Sequence, residues 1–317
     1  MTQLADNIHI ESLNPEHFAL WTPPEDRCVH VGAEQDEVSL PALPLPLNCK
    51  DVADYPTDNA IGNGIYDYLR QFPDCPYASD YASLLRDAYP HFLADLGAQV
   101  VMLDHKDVEP SYILRKLSYL KILRLLEPEN AGLLWQLCQG YYGLAMTFTE
   151  LPQVQKHLLD TMRFGQALLK IKENDAATLN LLAEVDVLFG DYPGAISKFQ
   201  KLLPQIEDEE LHQRVESRLA ACVALGFPDH PLMDDLERCG EAMMLYASGE
   251  YPLATEILER LETDDYFMSE FVSADFFCLL GMGRLKTDDM GGAFESLTKS
   301  LEIDPDHQQA RELIDSI

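Results

Sequence analysis

Apolar residues recur along most of this chain at intervals of three and four, the spacing that places side chains on one face of a helix. Phe92, Leu93, Leu96, Val100, Val101 and Leu103 form one such set behind Pro90. Ile113, Leu114, Leu117, Leu120, Ile122, Leu123, Leu125 and Leu126 form another behind Pro110. Proline is accepted in a first helical turn, so the pattern predicts a helix over 90–104 and one opening at 110. The second set is apolar on more than one side and needs cover from several neighbours. Shorter helices are expected at 59–72 and 79–88. Two long helices should fill 131–174, with their loop near Thr149–Pro152. Helix pairs should follow at 176–203, 233–263 and 270–304. Between the first two of these pairs, Glu207-Asp208-Glu209-Glu210 opens a further helix to about Leu225, its acidic first turn favourable against the helix dipole. A polar terminal helix is expected over 306–317.

Residues 1–57 follow another pattern. Pro15, Pro23, Pro24, Pro41, Pro44, Pro46 and Pro56 prevent long helices there. Val38–Leu47 is extended, apolar and polyproline-like in composition. Such a segment either serves a proline-binding domain or packs on the body of its own protein, and its leucines favour packing.

The turns between helices repeat. Gly190-Asp191-Tyr192-Pro193-Gly194-Ala195 returns as Gly249-Glu250-Tyr251-Pro252-Leu253-Ala254, and more loosely as Asp288-Asp289-Met290-Gly291-Gly292-Ala293. In the last copy Phe277, Leu280 and Gly281 share a face, and Gly281 lets a neighbouring helix approach. Asp288-Asp289 suits an N-cap. Ala293, Leu297 and Ser300 face back, and Pro305 ends the unit. Leu126-Glu127-Pro128-Glu129-Asn130 is a similar ending, after which Leu134, Leu137, Cys138, Tyr141 and Tyr142 begin another first helix. Over roughly 110–310 this resembles the tetratricopeptide repeat, a helix–turn–helix unit that stacks on its own copies. The matching alanines Ala195, Ala254 and Ala293 are 59 and 39 residues apart, so the repeats are degenerate.

The resemblance implies an all-α solenoid with an irregular Pro-rich N-terminal arm. The divisions are 1–57 for the arm, 58–128 for a helical lead-in or cap, 129–226 for a first sub-array and 227–317 for a second with its capping helix. Gly226–Pro231 is the candidate hinge. It also implies a non-enzymatic scaffold or adaptor that holds a partner segment in a groove lined by the first helix of each unit. By position that groove draws on Trp135, Gln139, Tyr142, Asn180, Glu184, Met243, Tyr246, Met282 and Leu285. Aromatic and methionine side chains suit anchors and adaptable contacts. A dedicated chaperone for a client protein is the near alternative, and an enzyme or the helical subunit of one the distant alternative. The basic clamp with which some such domains hold a C-terminal carboxylate has almost no Lys or Arg at these positions.

Charge narrows the partners. The 54 acidic and 23 basic residues give a net charge of -31, which repels nucleic acid and anionic membranes and either serves solubility alone or steers a cationic partner; the partner expected is a protein with a basic or apolar segment. No apolar run is long enough to span a membrane, and residues 1–21 lack a signal peptide's basic and apolar regions. Seven cysteines without a C-x-x-C pair fit reduced thiols in a cytoplasmic protein. No phosphate-binding, nucleophile-elbow or H-E-x-x-H motif occurs, and no cofactor is expected. Asp229-His230 with Asp234-Asp235 looks like a hard-metal cluster, but Asp is common before a helix, so no metal site is predicted. His105 and His307 read as exposed loop residues. Cys239 and Cys278 hold equivalent places in the last two units and read as small buried residues.

Overall fold

The fold was obtained as a computed structural model that describes residues 15–31, 36–104, 109–224, 226 and 230–317. The described residues form fifteen α-helices and four short strands, and the chain gathers into two compact units, 1–140 and 141–317. His105 and residues 227–229 of the candidate hinge lie outside the described residues.

In the first unit, β1 (Phe18–Trp21) pairs antiparallel with β4 (Leu45–Asn48), and β2 (Cys28–Val31) with β3 (Asp36–Ser39). The arm is therefore a nested pair of hairpins rather than a polyproline segment. It packs on α1 (Asp58–Gln71) and α2 (Ala78–Ala88). Leu40, Leu45 and Leu47 are buried, the Tyr81 hydroxyl donates to the Pro44 carbonyl, and Arg27 pairs with Asp58 at 2.6 Å. The leucines of 38–47 thus form core with the same chain, as their density suggested. α3 (Pro90–Asp104) and α4 (Pro110–Leu126) complete the bundle, with α4 touching α1, α2 and α3. That explains a helix too apolar for a single buried face. α5 (Ala131–Ala145) follows, its residues from Tyr141 onward belonging to the second unit.

The second unit is built of hairpins. After a 3₁₀ turn at Phe148–Gln153 come α6 (Val154–Ile171), α7 (Ala176–Leu188), α8 (Tyr192–Leu202) and α9 (Glu209–Val223), each packed on the one before. Leu179, Ala183, Val187, Ala195, Phe199, Leu202, Val215 and Cys222 are the shared core of α7, α8 and α9. α10 (Leu232–Ser248) does not continue the stack on α9. It returns to the 3₁₀ turn and to α6 and α7. Gly240 makes this contact possible, because a Cβ there would lie 2.7 Å from the Leu151 carbonyl oxygen. From α10 a second stack runs through α11 (Tyr251–Glu262), the short α12 (Asp265–Glu270), α13 (Ala274–Lys286), α14 (Met290–Ile303) and α15 (Gln308–Ile314).

The repeated turns have one backbone cause. Gly190, Gly249 and Asp288 end their first helices with φ of 73°, 91° and 64°, the left-handed conformation that reverses the chain. The next residue caps the second helix in two of the three copies: Asp191 accepts from the Gly194 amide and Asp289 from the Gly292 amide. Ala195, Ala254 and Ala293 are fully buried where the two helices cross, and the Ser300 hydroxyl donates to the Ala274 carbonyl at 2.8 Å.

Candidate functional site

One polar cluster of the second unit centres on Arg218, on a face of α9 otherwise made of Leu211, Val215 and Cys222. Its Nε and Nη2 donate to Glu184 Oε2 on α7, at 3.2 and 2.9 Å. Nη1 and Nη2 donate to Glu270 Oε1 and Oε2 on α12, at 2.8 and 2.9 Å. The Glu270 pair is a two-pronged fork, the geometry in which a planar guanidinium binds carboxylate best. Each of the three side chains is about a quarter exposed (22–25%), so the cluster is partly desolvated and still open to water. Its formal charge is one negative. It also joins the stack that ends in α9 to the stack that begins with α10.

Two tyrosines stand within the field of this cluster. Burial, and after it the Glu184 carboxylate, pushes the Tyr142 phenol up to about 12. Burial also raises Tyr266, with the Glu270 charge adding to it. Both remain neutral hydroxyls near pH 7, with an apolar ring and a polar tip. Burial works against the Arg218 charge, but hydrogen bonds to Glu184 and Glu270 more than offset it, and the guanidinium is held in its protonated form.

The residues assigned by position to a groove fare unequally. Glu184 and Tyr142 belong to the Arg218 cluster. Asn180, Met243 and Leu285 are half-buried on α7, α10 and α13. Trp135 is half-buried and Gln139 exposed, both in the first unit. Tyr246 and Met282 need correction: each is only 7% exposed. Tyr246 packs edge-on against Tyr251, and the Met282 sulfur accepts from Gln309 of α15. Both are core side chains, because the first helices of these hairpins are covered on several sides.

Sequence reasoning missed Arg218, Tyr266 and Glu270, since it placed the groove on hairpin helices and left α9 and α12 aside. The available signal was an arginine within an apolar stripe, at three from Val215 and four from Cys222, which calls for a buried partner. His307 is also corrected. It is no loose loop residue: its Nδ1 accepts from the Ala310 amide and caps α15, while Nε2 donates to Asp275 at 3.2 Å. Cys239 and Cys278 are buried, and burial raises both thiols to about 12.

Two-helix hairpins closed by left-handed turns, with small residues at the crossings, make the second unit an all-α array of stacked helical hairpins. The structure is similar to that of a tetratricopeptide repeat protein from Parabacteroides merdae, over 81% of this chain and 91% of that one, at 13% identity and a TM-score of 0.27. No protein-family profile matches the chain, and no curated protein matches it in sequence. Among the described residues, no helix is long and apolar enough to cross a membrane.

Proposed function

We propose that the protein is a cytoplasmic, non-enzymatic scaffold whose second unit holds a segment of a partner protein at the Arg218 cluster. The observation that carries this reading is the cluster itself: two carboxylates, one guanidinium and two tyrosines, partly open to water, where helices from both stacks meet. Tyrosine and arginine are the residue types that most often anchor protein contacts. The excess carboxylate selects a basic side chain in the partner, which would share Glu184 or Glu270 with Arg218. The apolar parts of Tyr142 and Tyr266 select a hydrophobic residue beside it.

The test is binding of the full chain to a library of short peptides that differ in Lys or Arg content and in apolar content. Peptides that combine a basic with an apolar residue should bind best. Their affinity should weaken as salt is raised, since exposed charge pairs are screened. Glu184→Gln should reduce that affinity about fivefold to tenfold, the loss expected for one partly exposed charge contact. Equal binding by acidic peptides, or no effect of Glu184→Gln and Tyr142→Phe together, would refute the assignment.

A further inference from the structure

His230, Asp235 and Asp264 come together at the opposite end of α12 from Glu270. His230 precedes α10, Asp235 lies in its first turn, and Asp264 caps α12. The sequence suggested a cluster of Asp229, His230, Asp234 and Asp235. Asp229 lies outside the described residues; among the described ones the fold brings Asp235 to His230 and adds Asp264, about thirty residues further on. His230 Nε2 is 2.8 Å from Asp235 Oδ2 and 3.8 Å from Asp264 Oδ2. One ligand atom from each of the three residues lies within 4.8 Å of the others.

We propose that these three side chains form a binding site for a divalent transition-metal ion, with zinc as the type case. A tetrahedral ion with bonds of about 2.0–2.1 Å keeps its ligand atoms about 3.3 Å apart. The distances here bracket that value, so small side-chain rotations complete the set. One nitrogen and two carboxylate oxygens suit zinc or its neighbours better than calcium or magnesium, which take oxygen alone. His230 is about a third exposed, which leaves an open side for water as a fourth ligand.

Two further observations favour a cation. Asp235 is 1% exposed, so its charge is taken out of water, and the Asp264 carboxylate repels it in addition. Asp264 uses Oδ1 to cap the Tyr266 and Phe267 amides, which leaves Oδ2 directed to the cluster. Arg238 is the internal competitor. Its Nη1 donates to Asp235 Oδ1 at 3.3 Å, on the oxygen that does not face His230, and its side chain is 57% exposed and able to swing into water. A bound ion would tie the start of α10 to the start of α12.

The experiment is calorimetric titration of the chelator-stripped full chain with zinc, in millimolar magnesium to saturate diffuse acidic sites. One equivalent should bind with micromolar or tighter affinity, and melting temperature should rise as zinc is added. Asp264→Asn keeps an oxygen for the α12 cap while removing the charge, and it should weaken binding at least tenfold. His230→Gln should do the same. Arg238→Gln should tighten binding about threefold or more, an outcome that a merely damaged fold would not produce. Asp234→Asn, on the same turn but outside the cluster, should leave binding unchanged. No stoichiometric binding, or binding indifferent to Asp264→Asn and His230→Gln, overturns the site and leaves His230 as the ion-pair partner of two aspartates.

Discussion

Replacing Arg218 by Met removes the charge while keeping most of the apolar stem. It deletes four charge-assisted hydrogen bonds of 2.8–3.2 Å and leaves Glu184 and Glu270 without their shared cation. Breaking a fully buried pair costs about 3–5 kcal/mol. An exposed pair contributes about 0–1 kcal/mol. These side chains are roughly three-quarters buried, and four bonds are lost together, so the expected cost is about 2–3 kcal/mol once solvent screening is allowed for. For a domain of this size each kcal/mol lowers Tm by about 2–4 °C, so the variant should melt about 4–12 °C lower. Urea unfolding of the full chain at physiological salt gives the free energy directly, with the slope as a check on two-state behaviour. The penalty should come mainly from the stranded carboxylates. Adding Glu184→Gln and Glu270→Gln to Arg218→Met should therefore restore at least half of it. A single variant within about 0.5 kcal/mol of the parent, or a triple variant less stable than the single, would refute the view that this cluster joins the two stacks.

Gly249→Ala should cost about 1 kcal/mol or slightly more through the left-handed φ alone, since no atom lies within 4 Å of the added methyl. Asp288→Gly, at the equivalent turn, should be neutral or stabilising by a few tenths of a kcal/mol in the same urea assay. Glu262 is half-hidden, which raises its pKa, but Lys299 at 2.7 Å and Arg284 at 2.8 Å overcome this and hold it below the usual carboxylate value. A depressed folded-state pKa gives stability that is present above the unfolded carboxylate's pKa and lost as pH falls through the folded one. Glu262→Gln should therefore be less stable than the parent at pH 7, with the two converging in acid. A gap that does not narrow as pH falls below the unfolded carboxylate's pKa would refute the assignment.

The helices were legible in the sequence because their ends carry local chemistry. Pro90 and Pro110 start α3 and α4 where proline costs least, and Asp208 caps α9 through the Leu211 amide. The strands were not legible. Phe18–Trp21 has no partner until Leu45–Asn48, segments of four residues are too short to give a periodic signal, and Pro46 inside the last one argues against a strand. Tyr246 continues the apolar stripe Leu232, Leu236, Cys239 and Ala242 of α10 and was legible as core, whereas Met282 was not. Residues 276–283 of α13 are all buried, so this helix has no single apolar stripe from which an exposed face can be read. Positions carried over from a regular repeat then fall on core as readily as on surface.

The irregular spacing of the repeats and the composition of the candidate site have one origin. A regular tetratricopeptide array has a period of about 34 residues. The 59 residues between Ala195 and Ala254 hold α9 in addition to the hairpins, and the 39 between Ala254 and Ala293 hold the short α12. These two added elements meet at Arg218–Glu270, and α12 also brings Tyr266 beside that pair and Asp264 beside His230 and Asp235. A regular array would stack α10 on its predecessor. Here α10 falls back on the Phe148–Gln153 turn, and α9 and α12 meet through the Arg218–Glu270 pair. A charged junction, about a quarter exposed, is less stable than a well-packed apolar one of the same size. The Arg218 and His230 clusters both draw on an element by which this chain departs from its own repeat, and the proposed partner and ion would bind at those departures.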